Sequence, residues 1–266
     1  MSFSSITSLQ NPRIKSLVRL RDGSHRRRQQ RFLIEGKREL ERAIRSGWAL
    51  EAVYFSEEHF RDESDYALLD LIAQSATEAV QLEAEVFRKA AYREHPDGWL
   101  ATAPMRTTSL EQLQLSACPL LLVLEGVEKP GNLGAVIRSA NAAGADAVIV
   151  SNPVTDIYNP NAIRASQGAF FDLPVVETDN SSLISWLREK GIAALVGTPH
   201  AEALVWQADL TGPVAWIMGT EHDGVSADWL QPPHKAVRLP MKGITDSLNV
   251  STAAAVMLFE TVRQRT

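Results

Sequence analysis

The sequence predicts an α/β protein in two parts: a smaller N-terminal α/β unit, then a mostly parallel sheet with helices on both faces. Three observations predict this. From Pro119 onward, short apolar runs alternate with amphipathic helical segments, the pattern of βαβ units. Residues 31–103 show the same alternation with shorter elements. Between them, residues 104–118 (Pro104, Thr107, Thr108, Ser109, Ser116) turn polar and lose the periodicity. The expected organisation is an N-terminal domain at 1–103, a linker at 104–118 and a second domain at 119–266.

Element by element, the basic opening comes first. Asn11-Pro12-Arg13 leads into a helix-like stretch from Ile14 to Arg21, then the tract Arg26-Arg27-Arg28-Gln29-Gln30-Arg31. Arg31–Glu35 reads as a strand and Lys37–Ser46 as a helix, closed by Gly47. Leu50–Phe55 is a strand, Tyr66–Ala76 a helix, Ala79–Leu82 a short strand, Ala84–Ala91 a helix and Trp99–Ala103 a last strand. This region shows no paired carboxylates, His cluster or nucleophile motif and reads as a binding module.

In the second part, Leu120–Leu124 is an apolar run expected to be buried on both faces. Helices are expected at Asn132–Ala143, Asn159–Phe170 and Ser182–Lys190. Strands are expected at Ala147–Val150, Pro174–Glu177, Ala193–Val196, Val214–Met218 and Ala236–Leu239. A long helix entered at Asp246-Ser247 closes the chain. It is apolar almost all round and therefore expected to be buried.

Composition narrows the function classes. Of 266 residues, 45% are hydrophobic and 22% charged, ordinary for a globular protein. The single cysteine, Cys118, excludes an intramolecular disulfide and a cysteine zinc site. No signal-peptide pattern and no apolar run near the roughly 20 residues of a membrane span is visible, so a reducing cytoplasm is expected. Net charge is −5, unevenly spread: residues 1–50 carry 12 Lys/Arg against 4 Asp/Glu. That asymmetry suggests an anionic partner for the N-terminal part, with Arg26, Arg27, Arg28 and Arg31 as candidate phosphate contacts. A solvated basic helix end would look the same.

In a parallel sheet, ligands bind beyond the carboxyl ends of the strands, and three unusual loops lie there. The first runs from Glu125 through Gly126 and Pro130 to Arg138, with Asn132 as the expected helix cap. Leu133, Val136, Ile137 and Ala140 form one apolar stripe, and Arg138 points away from it, one turn after Gly134. Asn132 and Arg138 are thus placed to meet a phosphate or ribose over the helix start, although a capped βα turn with a surface arginine fits equally. The second loop is Gly219-Thr220-Glu221-His222-Asp223-Gly224, a glycine-bounded turn with three ionisable groups. His222 has no second His or Cys at a useful spacing, so no metal is expected. The third, Leu239-Pro240-Met241 to Ser251, puts Ser247 and Asn249 beside a helix start, where unpaired N–H groups favour polar ligands. Neither a dinucleotide glycine fingerprint nor a Walker motif is present, which disfavours a nicotinamide-dependent enzyme.

Together these loops resemble the three ordered motifs of the SpoU (TrmH-type) RNA 2′-O-ribose methyltransferases of the SPOUT superfamily. The residues are Asn132-x-Gly134-x-x-x-Arg138, Gly219-x-Glu221-x-x-Gly224, and Leu239-Pro240-Met241 followed by Ser247-Leu248-Asn249-Val250-Ser251. Residues 119–266 carry this resemblance. The N-terminal part is similar to the family's ribosomal-protein-like substrate-binding domain through Asn11–Lys15 and Phe32–Gly36, and Asn159–Ala169 is a further family-like segment. The resemblance implies a trefoil-knotted α/β domain, a homodimer with its active site at the interface, and S-adenosyl-L-methionine bound in the knot loops. It places Asn132, Arg138, Glu221, Ser247 and Asn249 on catalytic positions. It places Thr198, Gly219, Leu239, Met241 and Leu248 on cofactor loops. The implied substrate is structured RNA, with 23S ribosomal RNA favoured over tRNA by the N-terminal similarity; a non-catalytic RNA-binding or assembly protein on the same scaffold is the rival. One departure stands out: the family often has Gly-Asn-Glu-Gly where this chain has Gly219-Thr220-Glu221-His222. The extra bulk of His222 is expected to bear on RNA choice.

Overall fold

Strands form where β-branched and large apolar residues run together between turns, and two separate sheets result. The computed structural model describes residues 3–75 and 77–266. One unit gathers the chain up to Arg106 together with Tyr158–Asp172; the other holds Thr107–Ile157 and Leu173–Thr266.

The first unit contains β1 (Ser4–Ile6), α1 (Pro12–Arg19), α2 (Gly23–Gln29), β2 (Arg31–Glu35), α3 (Lys37–Arg45) and β3 (Ala52–Phe55). It continues with α4 (Glu63–Ala73), β4 (Glu78–Leu82), α5 (Ala84–Ala90) and β5 (Trp99–Pro104). Its sheet order is β1-β4-β3-β5-β2, parallel at β4 and antiparallel around β5. Asn11 caps α1, its Oδ1 accepting the Arg13 N–H at 2.8 Å, with Pro12 in the first turn; the helix therefore starts two residues before Ile14. A reciprocal cap between Asp62 and Asp65 starts α4 at Glu63, ahead of Tyr66. Ala76, the expected end of that helix, lies outside the described residues.

The second unit contains β6 (Leu120–Glu125), α6 (Pro130–Ala142) and β7 (Ala147–Ser151). After α7 (Pro160–Ala165), which belongs to the first unit, come β8 (Val175–Thr178), α8 (Asn180–Glu189), β9 (Ala193–Gly197), β10 (Val214–Met218), β11 (Lys235–Val237) and α9 (Val250–Arg265). Every neighbour in the sheet β11-β9-β10-β6-β7-β8 is parallel. All six residues of β6 are buried, as a strand covered on both faces requires. Register aligns the carboxyl ends: Met218 stands beside Leu124 and Gly197, and Gly197 beside Val237. The loops after β6, β10 and β11 therefore leave the sheet at one edge.

Three expectations need correction. Residues 158–172 were expected to continue the second domain as one helix, Asn159–Phe170. They pack instead with the first unit, where Tyr158 and Phe171 join Phe32 and Trp48. Phe32 lies 4.6 Å from the Tyr158 ring, and Trp48 Nε1 donates to the Phe171 carbonyl at 3.0 Å. The helix stops at Ala165 because Gln167 and Gly168 adopt left-handed backbone, φ 51° and 88°. A Cβ on Gly168 would meet Arg42 Cγ at 2.6 Å. Second, the stretch 104–118 is not a loose connector: Leu110 is 5% exposed and joins the core of the second unit, with Leu113 and Leu115 against it. Third, α9 begins at Val250 and is not buried all round. Asn249 is its cap, accepting the Ser251 N–H at 3.0 Å. Val250, Ala254, Met257 and Leu258 form a buried stripe against α6 and β10, whereas Phe259 is 49% exposed.

The far end of α9 is tied down by Arg265. Its guanidinium donates to the carbonyls of Leu210 (3.0 Å), Cys118 (2.9 Å), Pro119 (3.3 Å) and Gly212 (2.6 Å). Such charge-assisted bonds are worth about 1.5–3 kcal/mol net where water cannot replace them. Arg265→Ala should lower unfolding free energy by about 2 kcal/mol in a denaturant titration; a loss below about 0.5 kcal/mol would mean that water satisfies those carbonyls equally well.

Candidate functional site

The site grows from the loop after β6. Gly126 turns the chain with φ 62°, and α6 then starts at Pro130, so Lys129 and not Asn132 occupies the cap position. Asn132 falls in the first turn, and its side chain is left to reach across to another loop. That loop follows β10, where Thr220 and Gly224 pair backbone to backbone at 2.9 Å. The turn folds so tightly that a Cβ on Gly219 would lie 2.0 Å from the Gly224 carbonyl oxygen. Glycine is therefore required there.

Glu221, carried on this turn, is the junction. Its Oε1 accepts Asn132 Nδ2 at 2.9 Å and Asn249 Nδ2 at 2.6 Å, and its other oxygen pairs with the Lys129 ammonium. Asn249 Nδ2 also reaches Asn132 Oδ1 at 3.3 Å, while Asn249 Oδ1 accepts both the N–H and the hydroxyl of Ser251. The loops after β6, β10 and β11 thus meet at one carboxylate. Lys129 first, then the donors Asn132 and Asn249, hold its pKa below the ordinary carboxyl value. Two further expected site residues stand apart from this junction. Arg138 is exposed, two turns along α6, and makes no hydrogen bond or ion pair among the described residues. Ser247 is exposed and, among the described residues, donates only to Asp246, at 3.3 Å. Lys129 was not singled out from the sequence. A signal for it existed: a lysine at a helix N-terminus opposes the macrodipole and calls for a compensating acid.

Behind the junction lies a cavity of about 700 Å³. Thr198, Gly219, Leu239, Met241 and Leu248 all line it, as do Glu221, Ser247 and Asn249. Gly197 makes room for its floor, because a Cβ there would meet the thioethers of Met218 and Met257 at 2.7 and 2.8 Å. The backbone N–H groups of Leu239, Met241 and Leu248 have no partner among the described residues. The lining therefore combines flat apolar surface with free backbone donors, the make-up of a small-molecule site. His222, its side chain 96% exposed, stands at the rim. A larger recess of about 860 Å³ along β9 and β11 contains none of the three motifs. Among the described residues no group of three or more His, Cys, Asp or Glu is arranged to hold a metal, and no helix is long and apolar enough to cross a membrane.

The arginine tract splits by helical period. Arg26 is 1% exposed and donates to the carbonyls of Leu20 (2.7 Å) and Arg21 (2.9 Å), sealing the end of α1. It is a structural residue and not a phosphate contact, because the turn of α2 points it inward. Arg31 pairs with Glu51 at 2.9 Å. Arg27 and Arg28 are exposed, with Arg28 2.7 Å from His25 Nδ1.

This fold and junction define a class. Residues 119–259 match the SpoU rRNA Methylase family and residues 11–101 the MRM3-like substrate binding domain; the chain belongs to the SpoU family. Among its relatives is the 23S rRNA (uridine(2479)-2′-O)-methyltransferase of Streptomyces viridochromogenes, 30% identical over 88% of this chain and 83% of that one. The crystal structure of an RNA 2′-O ribose methyltransferase is 43% identical and superposes with a TM-score of 0.86 over 98% of this chain and 99% of the other. The SpoU methyltransferase AviRb of Streptomyces viridochromogenes, in complex with AdoMet, is 28% identical with a TM-score of 0.86, covering 96% of this chain and 99% of its own.

The depressed pKa of Glu221 has a measurable consequence. A carboxylate whose folded pKa lies below its unfolded value stabilises the fold above the ordinary carboxyl pKa of 4.5 and loses that effect as pH falls through the depressed value. The melting-temperature difference between the wild type and Glu221→Gln should stay constant at neutral pH and shrink as the pH is lowered past 4.5. A difference independent of pH would mean that the charge on Glu221 does not hold the loops.

Proposed function

We propose that this protein transfers the methyl group of S-adenosyl-L-methionine to a ribose 2′-hydroxyl of 23S ribosomal RNA. The observation that carries the reading is the Glu221 junction, which draws three loops together at the mouth of a cavity lined by apolar and polar side chains, with free backbone donors. The cavity volume falls within the roughly 300–1,000 Å³ of small-molecule sites. Leu239, Met241 and Leu248 offer apolar surface for an adenine, and their unpaired N–H groups offer donors for its ring nitrogens or the ribose. Thr198 and Gly219 complete the set. The cofactor supplies a methyl group on a positively charged sulfur.

The chain's own residues supply positioning and charge. Arg138 carries an exposed guanidinium with no partner among the described residues, placed to bind the target nucleotide's phosphate and to support the 2′-oxygen as negative charge develops there. A guanidinium holds its proton too tightly to act as a base, so the proton passes to the phosphate or to water. Asn132, Glu221 and Asn249 hold the loops in register, and Ser247 lines the cavity beside them. Arg27 and Arg28, with the half-exposed Arg31, give the N-terminal unit a surface for RNA phosphates. In this reading two copies pair into a homodimer, and Phe259 on the open face of α9 is a side chain that such pairing would cover. In the same reading the cavity loops follow a knotted path. A ribosomal RNA substrate supports a cytoplasmic location.

Labelled S-adenosylmethionine and unmodified 23S and transfer RNA transcripts test the reading, with digestion to nucleosides. A 2′-O-methylnucleoside from the 23S transcript is expected. Label in tRNA alone would move the substrate, and cofactor binding without transfer to any RNA or ribosomal particle would favour a non-catalytic role. Arg138→Ala should abolish transfer with cofactor affinity held within a few-fold. Arg138→Lys should lose more than about 10²-fold, because an ammonium cannot reproduce the planar fork; near wild-type transfer by either variant would remove Arg138 from the mechanism.

A further inference from the structure

The turn that carries Glu221 is held at its far end by a buried carboxylate that the proposed chemistry does not use. Glu125 ends β6 and is 6% exposed. Its Oε2 accepts the backbone N–H of Ser226 at 2.8 Å, and its Oε1 accepts Asn180 Nδ2 at 2.5 Å. Asn180, 4% exposed at the start of α8, is itself fully engaged. Its Oδ1 accepts Trp229 Nε1 at 3.2 Å and the Ser151 hydroxyl, and its Nδ2 lies 3.1 Å from Ser226 Oγ. Burying a carboxylate is costly unless donors surround it. Here the donors come from the loop after β10 and from the first residue of α8.

The geometry couples two motifs through one residue. The Thr220–Gly224 pairing closes the near end of the turn, and only Val225 separates it from Ser226. Anchoring Ser226 therefore limits where the turn that carries Glu221 can lie. Glu125 also precedes Gly126, the residue that turns the chain toward Lys129 and Asn132. The bonds from Asn132 and Asn249 to Glu221 span 2.9 and 2.6 Å, and a relative shift of about 1 Å would take them out of hydrogen-bonding range.

We propose that Glu125 is a positioning residue for methyl transfer. Through the Ser226 backbone and Asn180 it sets the spacing between the Gly219–Gly224 turn and α6, and with it the shape of the cofactor cavity. This rests on the methyltransferase reading above. The test compares the full-length wild type with Glu125→Gln, Ser226→Ala and Ser226→Pro, by calorimetry with S-adenosylhomocysteine and by steady-state transfer to the 23S transcript. Ser226 has φ −66°, the angle a proline ring fixes, so Ser226→Pro keeps that backbone angle while removing the hydroxyl and the N–H, whereas Ser226→Ala removes the hydroxyl alone. Glu125→Gln and Ser226→Pro should each weaken S-adenosylhomocysteine binding at least tenfold and raise the KM for S-adenosylmethionine, with the KM for RNA moved less than twofold. Ser226→Ala should bind at least tenfold more tightly than Ser226→Pro. Equal affinities for the two Ser226 variants would overturn the proposal, and so would a Glu125→Gln protein that binds within twofold of the wild type. If Glu125→Gln does not fold, the Ser226 pair decides. A wild type that fails to bind S-adenosylhomocysteine would overturn the methyltransferase reading itself, a result separable from the others.

Discussion

The second unit depends on one ionised carboxylate. Glu221, on the loop after β10, accepts from Lys129 and Asn132, which follow β6, and from Asn249, which follows β11. Each loop taken alone is polar and short of apolar contacts, and ordering a residue costs about 1–2 kcal/mol of conformational entropy. Bonds to a charged acceptor are roughly twice as strong as neutral ones, so a single carboxylate with three donors offsets part of that cost. The parallel register makes this possible. Because Met218, Leu124, Gly197 and Val237 end side by side, the loops begin within reach of one another.

Around this junction the polar groups are arranged in two layers. The outer layer is Glu221 with its partners, open to solvent and to a ligand. The inner layer is Glu125 with Asn180, both buried, and with the Ser226 N–H at its partly exposed edge. The inner bonds work in a low dielectric, where they are stronger and where an unmade bond is more expensive. The consequence is a rigid footing beneath a site whose surface groups remain free to exchange partners. Helix α9 adds a second constraint. Its first residue follows the Asn249 cap in the site, and its last turn is bound by Arg265 to four carbonyls, so the site end cannot shift without disturbing the far end.

The first unit shows how far sequence patterns mislead when a segment changes allegiance. Tyr158, Phe170 and Phe171 follow β7 in the chain yet complete the aromatic cluster of Phe32 and Trp48. Nothing in the local periodicity of Asn159–Phe170 distinguishes a helix that covers its own sheet from one that covers another. Arg26 shows the same limit at a single residue. An arginine tract reads as one basic surface, but a helix turns its members in different directions, and the one facing the carbonyls of Leu20 and Arg21 becomes part of the core.

From the sequence alone came the α/β alternation, the two-part organisation, the buried β6 and the three loops of the site, because each rests on composition or on a local period of two or 3.6 residues. The glycines of the Gly219–Gly224 turn were legible for the same reason. Only the tertiary structure decided that Lys129 takes the cap position and pairs with Glu221, that Asn249 and not Ser247 joins the junction, that α9 leaves Phe259 exposed, and that Glu125 grips Ser226. Those facts depend on which residues distant in the chain are brought within about 3 Å, and a hydrogen bond is selective over tenths of an ångström while periodicity places residues only to the nearest turn.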